Sequence, residues 1–262
     1  LVKKIEIVAD GRKVLYTATG LNALTLGHIF RGQKPELVSP AIAIASNVPF
    51  STHYVIDFQA VRMGKPIDSY FDPRPYEKLE LRVTWGALNP DLFTAGTATV
   101  DFVNLDVLID QTSKGAEMVL FNKLVTFDED NITTVSPNLV LNVPRSGLLS
   151  GILFSTEVDT VMSNGLVERL SIKSDNNFLH LDGVKWQSLR QKMNMDFQSG
   201  TTGNGPTGFA YLDLTEDGFI NSALNTFDLN VLQVVVDTVD TLPGTVHKLF
   251  RTYIYFEPIP AA

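Results

Sequence analysis

The sequence predicts an all-β chain made of two similar domains in tandem, on three observations. Apolar and polar residues alternate with period two in many short runs; clusters of Gly, Pro, Asn and Asp separate those runs; and the order of runs repeats once along the chain. Many short strands with turn chemistry between them describe a sandwich or barrel.

The alternation is clearest in Lys78-Leu79-Glu80-Leu81-Arg82-Val83-Thr84-Trp85, where every second residue is apolar. Such a strand has one face on a core and one in water. The pattern recurs at Lys4-Ile5-Glu6-Ile7, Thr99-Val100-Asp101-Phe102, residues 138–143, Arg169-Leu170-Ser171-Ile172 and residues 252–256. Residues 229–236 are nearly all apolar, as a strand covered on both faces is, and residues 148–154 form a further apolar run. Ala9-Asp10-Gly11-Arg12, Asp72-Pro73-Arg74-Pro75, Asn89-Pro90-Asp91, Ser163-Asn164-Gly165 and the 200–208 loop supply the turns. Two stretches read as short helices. Trp186, Leu189 and Met193 fall at i, i+3, i+7, and Leu21, Leu24 and His28 repeat that spacing.

Those helices mark the repeat. Ile5-Glu6-Ile7, Asp10-Gly11, Val14-Leu15 and the first helix are echoed by Leu170-Ser171-Ile172, Asp175-Asn176, Phe178-Leu179 and the second helix. Residues 54–58 then match 210–214, and 98–109 match 248–257, at an offset of roughly 150 to 165 residues. A period of that size means a duplicated domain, and we place the boundary in the polar 111–117 segment.

Composition excludes several functions. The 262 residues are 44% hydrophobic and 19% charged, enough for a substantial core and too apolar for a disordered chain. No uncharged apolar run reaches the ~18 residues of a membrane-spanning helix. The formal charge of −8, with no Lys/Arg block, disfavours direct nucleic-acid binding. Absence of cysteine removes disulfides, thiolate metal sites and Cys nucleophiles.

Each catalytic or binding motif has a plainer explanation. Gly203-Asn204-Gly205-Pro206-Thr207-Gly208 fits the dinucleotide pattern in letters, but a helix precedes it and a strand follows, the reverse of what phosphate binding needs. His28, His53, His180 and His247 are scattered without metal-ligand spacing, and no nucleophile elbow is present. Asp128-Glu129-Asp130 lacks calcium-loop spacing and reads as a solvated turn, and Asn131-Ile132-Thr133 is a glycosylation sequon in form only. Asp57, Glu80, Asp101 and Asp213 lie on strands and could pair as glycosidase carboxylates. Asp57 and Asp213 occupy matching stations of the repeat, which an active site would more naturally break. No catalytic, cofactor or metal residue is therefore assigned, and the chain is not read as an enzyme.

The segments Val2-Lys3-Lys4-Ile5-Glu6-Ile7-Val8-Ala9-Asp10-Gly11-Arg12-Lys13-Val14 with Leu21-Asn22-Ala23-Leu24, and Leu181-Asp182-Gly183-Val184-Lys185-Trp186-Gln187-Ser188-Leu189-Arg190-Gln191-Lys192, carry a family likeness. The chain resembles the double jelly-roll major capsid proteins of membrane-containing icosahedral bacteriophages, the corticovirus and tectivirus kind. That resemblance implies two tandem eight-stranded jelly-roll barrels, residues 1–112 and 113–262 here, the first short of its N-terminal strand. It implies homotrimers forming pseudo-hexagonal capsomers of a virion shell assembled in the host cytoplasm. Its partners would be neighbouring capsomers, vertex (penton) and minor coat proteins and an internal viral membrane. The family carries no catalytic residues and no cofactor. The alternative is a tandem β-sandwich carbohydrate-binding or glycoside-active protein, which needs an exposed aromatic platform or a carboxylate pair in a groove. Trp85 and Trp186 both fall on apolar periodic faces and are expected in cores.

The repeat also predicts missing strands. Residues 118–168 precede the second copy's Leu170 station, whereas four residues precede Ile5, and the chain opens Leu1-Val2-Lys3-Lys4 without an initiator Met. We expect on the order of 40 to 50 further residues upstream, supplying the first barrel's opening strand.

Overall fold

The computed structural model describes residues 2–31, 52–58, 71–87, 103–109, 121–175, 178–196, 206–215 and 220–258. In chain order the elements are β1 (Val2–Ala9), β2 (Lys13–Thr19), α1 (Gly20–Arg31), β3 (Leu79–Trp85), β4 (Phe121–Asn131), β5 (Leu139–Asn142), β6 (Leu148–Val158) and β7 (Val161–Met162). They continue with β8 (Val167–Ser174), β9 (Phe178–Lys185), α2 (Trp186–Asp196), β10 (Phe209–Asp213), β11 (Leu224–Asn225), β12 (Leu232–Thr238) and β13 (His247–Pro258). The expected strand at 99–102 and the 111–117 boundary lie outside the described residues.

Residues 121–258 carry the jelly-roll strand order. One sheet runs β10-β6-β13-β4 and the other β5-β12-β8-β9. Setting aside the two-residue β7 and β11, the first sheet holds the sixth, third, eighth and first strands, and the second holds the second, seventh, fourth and fifth. This interleaving is two Greek keys folded over one another. The core between the sheets takes Leu149, Ile152, Phe154, Tyr253 and Tyr255 from one and Leu170, Ile172, Val234 and Val236 from the other, with Trp186 and Leu189 of α2.

A bulge sets which side chains of β6 face that core. The register slips between Ile254 and Tyr255, whose partners are Gly151 and Leu149. Ser150, left over, donates its hydroxyl to the Ile254 carbonyl at 3.1 Å. The slip lets Leu149 and then Ile152 and Phe154 point the same way.

The first half repeats the second half's pairing. β1 pairs antiparallel with β2 and with β3, as β8 does with β9 and β12. Ile7 stands opposite Leu81, and Ile172 opposite Val234. Residues 54–58 and 103–109, equivalent in sequence to parts of β10 and β13, form no strand.

The halves share a sheet. β2 runs parallel to β4 with Tyr16 opposite Val125, giving a nine-stranded sheet that ends in β1 and β3. Helix α1 lies on the outer face of that sheet, where Ala23, Leu26, Ile29 and Phe30 meet Leu153, Phe209, Tyr211 and Ile254. Strands β6 and β13 are therefore covered on both faces, and Leu149, Ile152, Leu153, Phe154, Tyr253, Ile254 and Tyr255 are all fully buried.

Two sequence expectations need correction. The inward face of α1 is Ala23, Leu26, Ile29 and Phe30, not Leu21, Leu24 and His28; Leu21 is exposed, although His28 is buried. The helix is covered on most sides, so its burial does not follow a single apolar stripe. Trp186 is buried as expected, but Trp85 is 42% exposed.

Candidate functional site

The carboxylates weighed as catalytic are held by local partners. Asp57 is buried, and its Oδ2 accepts Arg31 Nε at 2.7 Å. Asp213, also buried, accepts the Thr215 amide at 2.8 Å and the Thr215 hydroxyl at 2.9 Å through Oδ1. Glu80 is paired with Lys78 and with Arg82, the latter at 2.6 Å, on one face of β3. Asp101 lies outside the described residues.

Asp128, Glu129 and Asp130 are the end of β4, not a solvated turn, because β13 brings cations beside them. Arg251 Nη2 stands 2.7 Å from Asp130 and 3.5 Å from Asp128, and Lys248 Nζ 2.6 Å from Glu129. The Arg251 side chain is only 4% exposed, and its Nη1 donates to the Asn142 carbonyl of β5 at 2.7 Å. It thus ties the two sheets together. A cation would have to compete with two resident basic groups for this acidic run.

Histidines serve packing. His247 sets its ring nitrogens against the Ile132 and Pro243 carbonyls at 3.1 and 2.6 Å. His180 of β9 shares a hydrogen bond with the Ser174 hydroxyl at 2.9 Å, and burial holds its pKa below the usual imidazole range. His28 is buried on α1, and His53 is exposed in a segment without strand structure. Among the described residues no group of three or more His, Asp and Glu is placed to hold a metal.

The glycine-rich 203–208 segment ends in a turn. Gly208 has φ +81°, its amide donates to the Asn164 side-chain oxygen at 2.7 Å, and β10 starts immediately after it. A Cβ there would sit 2.9 Å from the Thr156 carbonyl. Gly208 therefore answers a backbone need at a strand entry. Gly203 and Gly205 lie outside the described residues.

What distinguishes the surface is apolar. On β3, Leu79, Leu81 and Trp85 are each 41–42% exposed, while Leu232, Val234 and Val236 on the matching strand β12 are at most 2% exposed. Residues 103–109 are more open: Leu105 is 52%, Ile109 69% and Leu108 90% exposed. In the second half β12 is flanked by β5 and β8, and β13 by β4 and β6; among the described residues β3 pairs with β1 alone. The ion pairs of Lys78, Glu80 and Arg82 occupy the other face of β3, so its open face is the one built for a core. Patches of this kind mark surfaces that other protein covers.

The inter-half contact was not foreseen in the sequence. Thr19 caps α1, its hydroxyl accepting the Asn22 amide at 3.1 Å. Asn22, buried, donates to Thr252 Oγ1 at 2.9 Å and accepts from the Ser155 hydroxyl at 3.0 Å, bonding the helix to β13 and β6. An asparagine in a helix carries no mark that its partners lie 133 and 230 residues away.

No family model and no curated protein sequence matches the chain. Solved structures do. The fold is similar to the major capsid protein P2 of bacteriophage PM2, with TM-score 0.54 and 11% identity, covering 100% of this chain and 84% of that one. It is similar to the STIV MCP at TM-score 0.59 and 12% identity, covering 98% and 78%. It is also similar to a chain of the Sulfolobus Turreted Icosahedral Virus structure at TM-score 0.52 and 13% identity, covering 98% and 74%. The chain therefore has the double jelly-roll fold of these capsid proteins.

Proposed function

We propose that the chain is a major capsid subunit that works by assembly: it trimerises into a pseudo-hexagonal capsomer, and capsomers tile an icosahedral virion shell. The observation that carries this is the duplicated fold fused into one block. The jelly-roll order of residues 121–258, the repeated β3-β1-β2 pairing and the shared sheet support it, as does likeness to capsid proteins over nearly the whole chain. We divide the chain into units 1–112 and 113–262. Two similar units at a fixed angle give a three-fold object six similar lateral faces, so that one gene product can cover a large shell.

No catalytic step belongs to this reading. The open apolar face of β3 is surface for neighbouring protein to cover. Interfaces between subunits are expected to exceed roughly 2,000 Å², as in obligate assemblies. Neighbouring capsomers, vertex and minor coat proteins and an internal viral membrane are the partners, and assembly takes place in the host cytoplasm before the subunit resides in the virion.

The rival reading makes Trp85 a sugar platform. Its neighbours on that strand face are Leu79, Leu81 and Val83, which offer a sugar no hydrogen bond. Light scattering on the full chain separates the two. A mass near three times 28.9 kDa, or particles in electron micrographs, supports the capsid subunit. A monomer at micromolar concentration that binds saccharide overturns it.

A further inference from the structure

The contact between the halves contains an ionisable group where packing alone would place an apolar one. Lys123, on β4, is 5% exposed. Its Nζ lies 3.2 Å from the centroid of the Phe30 ring and donates to the Asp57 carbonyl at 3.1 Å. It lines a small cavity with Tyr16, Gly27, Phe30, Val55 and Asp57. Those five come from the first half, by way of β2, α1 and residues 52–58, so the amine sits across the seam from all of them. The approach is close: a methyl added at Gly27 would stand 2.7 Å from the Val55 carbonyl.

The cavity holds a buried hydroxyl as well as the amine. The Tyr16 hydroxyl is buried with no partner among the described residues. A lysine ammonium only donates, and the Asp57 carbonyl is the acceptor it uses. The Phe30 ring face and one carbonyl replace only part of an ammonium's hydration.

Among the described residues, several other charged or titratable groups lie on the elements packed against the amine. From α1 come His28 and Arg31, and Arg31 holds the Asp57 carboxylate at 2.7 Å. Residues 52–58 bring Asp57, whose negative charge favours the ammonium but is shared with that arginine. β2 brings Tyr16, whose phenol burial pushes upward. On β13 the residue opposite Lys123 is Phe256, and the adjacent Glu257 is bound to Lys13 at 2.6 Å. The β4 neighbours Phe121, Asn122, Leu124 and Val125 do not ionise.

We propose that Lys123 is a proton switch in the seam: protonation loosens α1 and residues 52–58 from β4, and loss of the proton tightens them. This does not depend on the capsid reading. Burial lowers the amine to about 7, against the pull of Asp57, whereas a lysine in water titrates near 10.4. Between those values the opened seam binds a proton that the closed seam does not, so the closed form gains as pH rises.

The test is amide hydrogen exchange of the full chain from pH 6 to pH 8, corrected for intrinsic exchange, in the wild type and Lys123→Met. In the wild type the opening equilibrium of α1 amides is expected to fall about tenfold over that range, and in Lys123→Met to stay level. A level wild-type profile, a profile of opposite slope, or the same fall in the variant overturns the proposal. If the variant does not fold, a side-chain NMR titration of wild-type Lys123 decides instead. A midpoint within about one unit of 7 sustains the switch, and one near 10.4 refutes it.

Discussion

Replacing Trp186 with Ala tests whether α2 is an anchor of the second sandwich or a passenger on it. Trp186 opens the helix, is 1% exposed, and lies in the core with Leu189, Leu170 and Ile172. A buried indole removes about 150 to 250 Å² from water, and truncating such a ring costs ~3–5 kcal/mol once the cavity is counted. For a chain of this size that lowers the melting temperature by roughly 10 °C. Its Nε1 is buried with no hydrogen-bond partner among the described residues, so the loss is packing and not polar pairing. Trp186→Phe should then cost less than about half as much. Trp85→Ala is the internal control. At 42% exposed, that ring has little burial to lose in the unassembled chain, and about 1 kcal/mol is expected. The assay is urea unfolding followed by far-UV circular dichroism, with slopes compared so that midpoints can be read as stability. A Trp186→Ala midpoint equal to wild type, or a Trp85→Ala loss as large as that of Trp186→Ala, would refute the assignment of the core.

Asn22→Ala leaves the buried hydroxyls of Thr252 and Ser155 without their helix partner and should cost ~1–3 kcal/mol, with exchange rising first in α1. Arg251→Met should destabilise by about 2 kcal/mol; a fully buried pair would cost more, but Asp128 and Asp130 keep contact with water. Restoring wild-type stability in the double variant Arg251→Met, Asp130→Leu would confirm that the stranded carboxylate causes the loss. Asp159 and Asp175 are held below the usual carboxylate range, first by backbone amides of Val246 and Asn230. Their folded pKa values are depressed, so their stabilisation is present above the ordinary carboxylate pKa and is lost as pH falls through the folded values. Asp159→Asn and Asp175→Asn should flatten the acid limb of stability below the ordinary carboxylate range.

The sequence shows elements whose side chains alternate and whose neighbours in the chain are also neighbours in space. Residues 138–143 contain β5, the run 148–154 opens β6, and Trp186, Leu189 and Met193 mark the inner face of α2. The repeat is legible because β1 and β8 make the same two pairings, and the residues that do so, Ile5 with Ile7 and Leu170 with Ile172, recur in order. Features set by contacts between distant segments were not legible. The β4 end looks like a turn because Asp128, Glu129 and Asp130 are adjacent, and only pairing with β13 supplies Arg251 and Lys248. The period of β3 correctly gives an apolar face but cannot say whether anything lies on it, so Trp85 was expected in a core. Lys123 follows Asn122 in a strand pattern, and nothing nearby in sequence marks it as buried beside Phe30.

A duplicated sandwich whose two copies merely followed one another would keep a wet face on each outer sheet. Here β6 and β13 are dry on both sides, one face on their own core and the other on α1 of the first half. Apolar contact alone would let the helix slide, since dispersion and burial have little direction. The polar groups set into this seam remove that freedom. Asn22 must meet Thr252 and Ser155, and Lys123 must reach the Asp57 carbonyl, so a shift of one turn would bury several donors unpaired. These contacts therefore specify the angle between the halves more than they add stability. A block that offers similar faces in fixed directions requires that angle to be single-valued, and a seam of mixed apolar and polar pairing provides it where an apolar one would not.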